Sequence, residues 1–310
     1  MINFNRVQQA VEIEGIKFGG KPGEFPTVLI GSVFHKGDKK VKDEEKGIFD
    51  KKKTEDLIFK QKELSDNTGN PCLLDVVGTS EVALQKYIEY IASLTPDPFL
   101  LNAVSSDVRI KVMKFIEDIG LIDKVVYTSI NYTVTEEELQ GLSDVKAKSV
   151  IIQSFNPRNP RIPGLIKILK GGHSREGLIS KALKVGIKNI LLFTSVFEVP
   201  SIGVAARGIY ELKNEFGYPA GTAPVGVVGR WCIKYDSFLG NYKEACESTG
   251  IALSIAMGAD FIIYGAIEKA EHVFPSTALV DTMVSRNSKM TFKNKFDTKE
   301  HPIFKLDFSL

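Results

Sequence analysis

Eight short apolar runs recur along the chain, each followed by a stretch with helical periodicity, and this repeat is what most limits the folds open to it. The runs cover 27–34, 72–77, 99–103, 124–129, 149–154, 189–194, 220–224 and 261–264. Eight parallel strands with helices between them close into a (β/α)8 TIM barrel, whose chemistry sits at the carboxyl ends of the strands. Leu84, Tyr87, Ile88 and Ile91 form an i, i+3, i+4, i+7 stripe after the second run, and Val108, Val112, Phe115 and Ile119 form one after the third. Ala205, Ile209, Leu212 and Phe216 repeat the pattern after the sixth. Thr135 and Glu138 have the spacing of a capping box, which predicts a helix from Glu136.

The 310 residues exceed the ~250 of a minimal barrel, so one domain over 1–310 is expected, with room for additions. Residues 1–26 read as an N-terminal hairpin extension, because 11–18 alternates and runs into Gly19-Gly20-Lys21-Pro22-Gly23. Its place would be under the barrel floor. The stretch 156–172, with Pro157, Pro160 and Pro163, reads as a loop insertion on the active side.

A net charge of +2 and a pI of about 8.2 are too mild for a nucleic-acid-binding footprint, and the lysines at 39–40 and 51–53 read as solvated faces. No stretch approaches the ~18 apolar residues of a membrane span, and the polar start does not have the form of a signal peptide. Membrane insertion is therefore not expected, and the setting is read as cytoplasmic. Cys72, Cys232 and Cys246 include no Cys-x-x-Cys pair, which argues against a disulfide framework and a zinc ribbon. Neither a Walker A string nor a G-x-G-x-x-G follows any strand-like run.

The residues at or just past the strand ends are His35, Asp75, Asn102 with Ser105, Thr128 with Ser129 and Asn131, Gln153 with Asn156, Phe193 with Thr194, Thr222 with Gly226, and Tyr264. Such a ring of amides and hydroxyls with one carboxylate suits a planar polar or aromatic ligand. It lacks the arginines and backbone N–H clusters that a phosphate requires, with only Arg230 nearby. Asp75 has the alternative of capping the helix from about Thr79, and Asn102 and Asn131 of stabilising turns. Phe193 has the alternative of core packing. Trp231, the single tryptophan, is either a stacking surface or a pin for its loop. His35 and Asp38, joined by Asp75 or Cys232, would offer zinc a mixed ligand set, although no spacing is diagnostic. His173, His272 and His301 fall in a loop, a late helix and the tail.

Several strings carry a family resemblance: 19–31 (GGKPGEFPTVLIG), 46–50 (KGIFD), 68–71 (TGNP), 216–219 (FGYP), 258–265 (GADFIIYG) and 301–305 (HPIFK). In order and over essentially the whole chain, these resemble the family of the H component of the methanogen tetrahydromethanopterin S-methyltransferase and its bacterial relatives. The resemblance implies a barrel that moves a methyl group between a small molecule and the cobalt of a corrinoid protein, a separate partner, and it implies a homodimer. Asp75 and Asn102 are then the expected catalytic residues, with Thr128, Asn131, Gln153, Asn156, Phe193 and Trp231 around the substrate. Where the relatives carry Asp, Asn, Asp and Asn at pterin-contacting positions, this chain carries Asn102, Thr128, Phe193 and Gly226. Each unmatched polar group of a buried pterin costs about 1–3 kcal/mol, so the replacements favour a less polar donor. An aromatic methyl ether is accordingly expected first, its O-demethylation assisted by zinc at His35, Asp38 and Asp75. The alternatives are a methyl-tetrahydrofolate or methyl-tetrahydromethanopterin donor held by Asp75, Asn102, Asn131 and Asn156, and a non-catalytic component that docks a corrinoid protein.

Overall fold

The structure is a computed structural model that describes residues 2–172, 175–235, 240–292 and 300–306. It begins with an antiparallel hairpin, β1 (Ala10–Ile13) and β2 (Ile16–Gly19), turned through Glu14 and Gly15 at φ 45° and 85°. These are the left-handed angles that a two-residue hairpin turn requires. The chain continues through β3 (Val28–Val33), the ribbon β4 (Val41–Asp43) and β5 (Ile48–Phe49), α1 (Lys51–Thr68), β6 (Cys72–Gly78), α2 (Glu81–Leu94), β7 (Phe99–Ala103) and α3 (Ser106–Asp118). Next come β8 (Val125–Ile130), α4 (Glu136–Asp144), β9 (Ser149–Gln153), α5 (Ile162–Lys170), the short ribbon β10 (Gly171–Gly172) and β11 (Arg175–Glu176), and α6 (Leu178–Lys184). The last third holds β12 (Asn189–Thr194), α7 (Ser201–Phe216), β13 (Ala220–Thr222), α8 (Val225–Lys234), α9 (Lys243–Ala256), β14 (Phe261–Ala266), α10 (Ala270–Phe292) and α11 (Pro302–Lys305).

Eight of these strands close a parallel barrel in the order β12, β13, β14, β3, β6, β7, β8, β9, with β9 returning to β12. This is the (β/α)8 TIM barrel expected from the repeat. Helix starts are capped by side-chain oxygens: Asp50, Ser80, Ser105 and Thr135 each accept from the N–H three residues on. Gly217 ends α7 at φ 76°, a conformation costly for any residue with a Cβ. The segment 156–172, read above as a loop, contains α5; Pro163 sits in its first turn, where a missing N–H costs nothing.

Alternation along each strand divides the apolar core into two layers. Outward residues such as Leu74, Leu101, Tyr127, Val150 and Leu192 meet the helices. Inward residues Val28, Ile30, Leu73, Leu100, Val126, Ile151, Leu191 and Phe261 fill the barrel, and Val11, Ile13 and Phe18 of the hairpin join them. Phe18 meets Phe261 edge-on at 6.1 Å, so the N-terminal hairpin is the floor of the barrel.

The seam of the barrel is tied from below. Asp281 of α10 accepts from the Thr27 N–H at 2.8 Å, from Thr27 Oγ1 at 2.7 Å and from Asn70 Nδ2 at 2.7 Å, joining the approaches to β3 and β6. Burial pushes its carboxyl up to about 6, against the pull of those hydrogen bonds. The unfolded chain titrates this group near 3.9. Below about pH 4 the stability it contributes is therefore fully present, and it is lost as pH rises to about 6. Asp281→Asn should thus gain on the wild type by an amount on the order of 2–3 kcal/mol between pH 4 and pH 7. Urea melts at both values measure this, and a wild-type-to-variant difference independent of pH would refute it.

Candidate active site at the barrel mouth

Continuing the inward alternation one step toward the carboxyl ends brings Ser32, Asp75, Asn102, Thr128, Gln153, Phe193 and Ile263 into one ring above the apolar filling. Register agrees with that assignment, since Ser32 pairs with Asp75, Asn102 with Thr128, and Gln153 with Phe193. Asn102, Thr128, Gln153 and Phe193 are half-buried, as residues facing an open mouth should be. The Thr128–Ser129 peptide bond in this ring is cis.

Asp75 is 2% exposed and is the ring's carboxylate. Ser32 Oγ donates to its Oδ2 at 2.7 Å and Asn102 Nδ2 to its Oδ1 at 3.2 Å. Burial pushes the carboxyl up, while those hydrogen bonds and the charge of the His35 side chain draw it back. Capping is not its role, because Ser80 caps α2. On the far side of the ring, Gln153 Nε2 donates to Ser195 Oγ at 2.9 Å. The site therefore offers one carboxylate acceptor, two amides, hydroxyls and the apolar face of Phe193. These groups can hold a flat ligand with a polar edge.

Several expected residues are not brought into this ring. Asn131 Oδ1 accepts from the Thr133 N–H at 2.9 Å and Thr133 Oγ1 at 2.6 Å, a self-contained turn. Asn156 does likewise, accepting from the Arg158 N–H at 3.1 Å and donating to the Gly164 carbonyl at 3.3 Å. Trp231 lies on α8 about two turns beyond the helix start at Pro224, against Tyr235 at 5.7 Å. Thr194, Thr222 and Tyr264 face the helices, one residue out of phase with the ring, and Ser105 caps α3.

The proposed zinc ligands are also committed elsewhere. Asp38 is fully buried and accepts from the Phe34 N–H at 3.0 Å and the Lys40 N–H at 2.9 Å, with Lys40 Nζ at 2.8 Å. Burial alone would raise its carboxyl, but Lys40 and the two N–H groups hold it below the usual range. His35 Nδ1 meets the Lys36 carbonyl at 3.2 Å. Among the described residues, no three His, Cys, Asp or Glu side chains converge to hold a metal ion. Of the other histidines, His272 contacts Glu247 at 2.8 Å, His301 is buried against Ser285 at 3.1 Å, and His173 lies outside the described residues.

Sequence reasoning missed Ser32, which sits inside an otherwise apolar run, and an aromatic bank on the rim. Tyr132, Phe155 and Phe197 follow β8, β9 and β12, with edge-to-face contacts at 5.9 Å and 4.9 Å.

Fold and ring together define a (β/α)8 barrel with one buried carboxylate among polar side chains at its mouth. The family described as "Tetrahydromethanopterin S-methyltransferase MtrH subunit" matches residues 6–294, and the chain belongs to it. The chain is 35% identical over 312 residues to the H component of the tetrahydromethanopterin S-methyltransferase of Methanothermobacter thermautotrophicus, covering 99% of this chain and 100% of that one. It is also 35% identical over 321 residues to the component of the same name in Methanocaldococcus jannaschii, with the same coverage. Among solved structures, the dihydropteroate synthase of Yersinia pestis superposes with a TM-score of 0.61 at 11% identity, covering 90% of this chain and 100% of that one. That of Xanthomonas albilineans gives 0.55 at 14% identity, covering 89% and 98%. At such identities the likeness is one of fold. The protein is thus a member of a methyltransferase family, and no helix among its described residues is long and apolar enough to cross a membrane.

Proposed function

We propose that this barrel transfers a methyl group from an N-methylated reduced pterin, of the tetrahydromethanopterin or tetrahydrofolate type, to the cobalt of a corrinoid carried by a partner protein. The observation that carries the reading is Asp75, held by Ser32 and Asn102 at the base of the mouth. A pterin presents an amine and a ring N–H side by side, and a carboxylate accepting both fixes the ring plane. The full-length relatives named for a tetrahydromethanopterin substrate support the pterin over the aromatic methyl ether that the strand-end replacements favoured.

The corrinoid acceptor brings the nucleophile. The carbon–nitrogen bond breaks, its electron pair stays on the pterin nitrogen, and a proton taken up there makes the leaving group a neutral amine. Orientation is the part played by this chain: Asp75 and Asn102 grip one edge of the ring, and Phe193 covers a face without competing for hydrogen bonds. Of the strand-end replacements, Phe193 favours the ether reading most directly, since it places an aromatic face where an anisole ring would stack. Mixing the protein with a reduced corrinoid protein and either methylated pterin carrier should release demethylated carrier, followed by chromatography. Turnover of methoxybenzenes alone would reverse the ranking, and corrinoid-protein binding with no turnover of any donor would leave a docking role.

A further inference from the structure

A second cavity, of about 430 Å³, opens beside the ring over the ends of β8 and β9. Arg158 after β9, Lys167 of α5, Arg175 of β11 and Lys181 of α6 line it, with Glu176 as the lining carboxylate. Glu176 is already taken by Lys184 at 2.7 Å and by Ser180, and Lys181 pairs with Glu136 at 2.8 Å. Arg158, Lys167 and Arg175 have no carboxylate partner among the described residues; the Arg175 guanidinium donates to the Tyr132 carbonyl at 3.4 Å. Three uncompensated cations around one concavity repel one another and raise the local potential for an anion. The charged groove on the opposite side of the mouth differs, because Glu244, Glu247 and Glu268 balance its lysines.

The cavity follows the same strand ends as the ring: Val134 comes after β8, and Asn156, Arg158 and Asn159 come after β9. Asn156, in its wall, lies three residues beyond Gln153, and the Tyr132–Phe155 pair adjoins it, since Arg175 donates to the Tyr132 carbonyl and Phe155 precedes Asn156. We propose that this cavity binds the anionic tail, carboxylate or phosphate, of the methyl donor whose pterin ring occupies the mouth. This inference rests on the pterin reading above. The ring edge would lie at Asp75 and Asn102, an aryl spacer along Tyr132 and Phe155, and the anion among Arg158, Lys167 and Arg175.

The test compares three probes by calorimetry: a 5-methyl-tetrahydropterin without a tail, 5-methyltetrahydrofolate triglutamate and 5-methyltetrahydromethanopterin. A tailed donor should bind the wild-type protein more tightly than the tail-less one, and the advantage should shrink as salt rises. Arg158→Ala, Lys167→Ala and Arg175→Ala should each weaken a tailed donor about three- to fivefold and leave the tail-less one unchanged. Lys167→Glu, an exposed helix position, repeats the test by charge reversal. Equal affinity for tailed and tail-less donors, or equal losses for both in the variants, overturns the inference and leaves the pterin reading standing. Failure of all three probes to bind removes the pterin reading and this inference with it. Losses with the triglutamate donor assign the site to carboxylates, the only anions in that tail, whereas losses confined to the methanopterin donor assign it to the phosphate that this tail carries beside its carboxylates.

Discussion

Asp75→Ala should lower methyl transfer from the pterin carrier about 10²- to 10³-fold, the cost of two charge-assisted hydrogen bonds to the ring edge. The same carboxylate is held at the expense of the fold: burial raises it, and only Ser32, Asn102 and the more distant His35 offset that. Asp75→Asn keeps the shape and an acceptor for Ser32 while removing the buried charge, so it should melt higher than the wild type as it loses turnover. Opposite signs in melting temperature and activity are what a binding group predicts, whereas a structural carboxylate would lose both. Steady-state kinetics beside thermal melts separate the cases. Turnover by Asp75→Ala within tenfold of the wild type would place the donor away from this ring.

Much of the site could be read from the chain because a strand's last inward residue is marked by where its apolar run stops. Asp75, Asn102, Thr128, Gln153 and Phe193 were found in that way and occupy consecutive places around the mouth. The rule fails by one residue as readily as it succeeds, since a single step turns a side chain to the other face. Tyr264, Thr194 and Thr222 were lost to that error. Ser32 escaped because its run continues past it through Val33 and Phe34, which face the helices. Asn131 takes the turn-stabilising alternative, and Asn156, for which none was weighed, does the same: each precedes by two residues the backbone N–H that its own oxygen accepts. In 156–172 three prolines masked a helix that begins at Ile162 and carries one of them, Pro163, in its first turn. Asp38 resembled a metal ligand only while its partner Lys40, two residues away, was read as a solvated surface lysine; in the fold Lys40 is 3% exposed.

The ring also depends on a charge sealed into the wall behind it. Arg109 of α3 is buried, and it donates to the Ala103 carbonyl at 2.7 Å, to Tyr127 Oη at 2.9 Å and to Glu138 Oε1 at 3.0 Å. Tyr127 in turn donates to Glu138 Oε1 at 2.5 Å. Ala103 follows Asn102 and Tyr127 precedes Thr128, so this one guanidinium ties the backbone beside one ring residue to the side chain beside the next. Arg109→Met should cost about 3–5 kcal/mol, because it strands the Glu138 carboxylate in the wall without its cation. Removing both partners in Arg109→Met/Glu138→Leu should restore most of that loss, since neither charge is then left unpaired. Stability measured by urea unfolding tests the first claim, and a double variant no more stable than the single one would refute the coupling. Donor affinity tests the second: with stability recovered but the Ala103 carbonyl untethered, the double variant should still bind the pterin several-fold more weakly. Full recovery of both would mean that Arg109 supports the barrel wall and does nothing to aim Asn102 and Thr128.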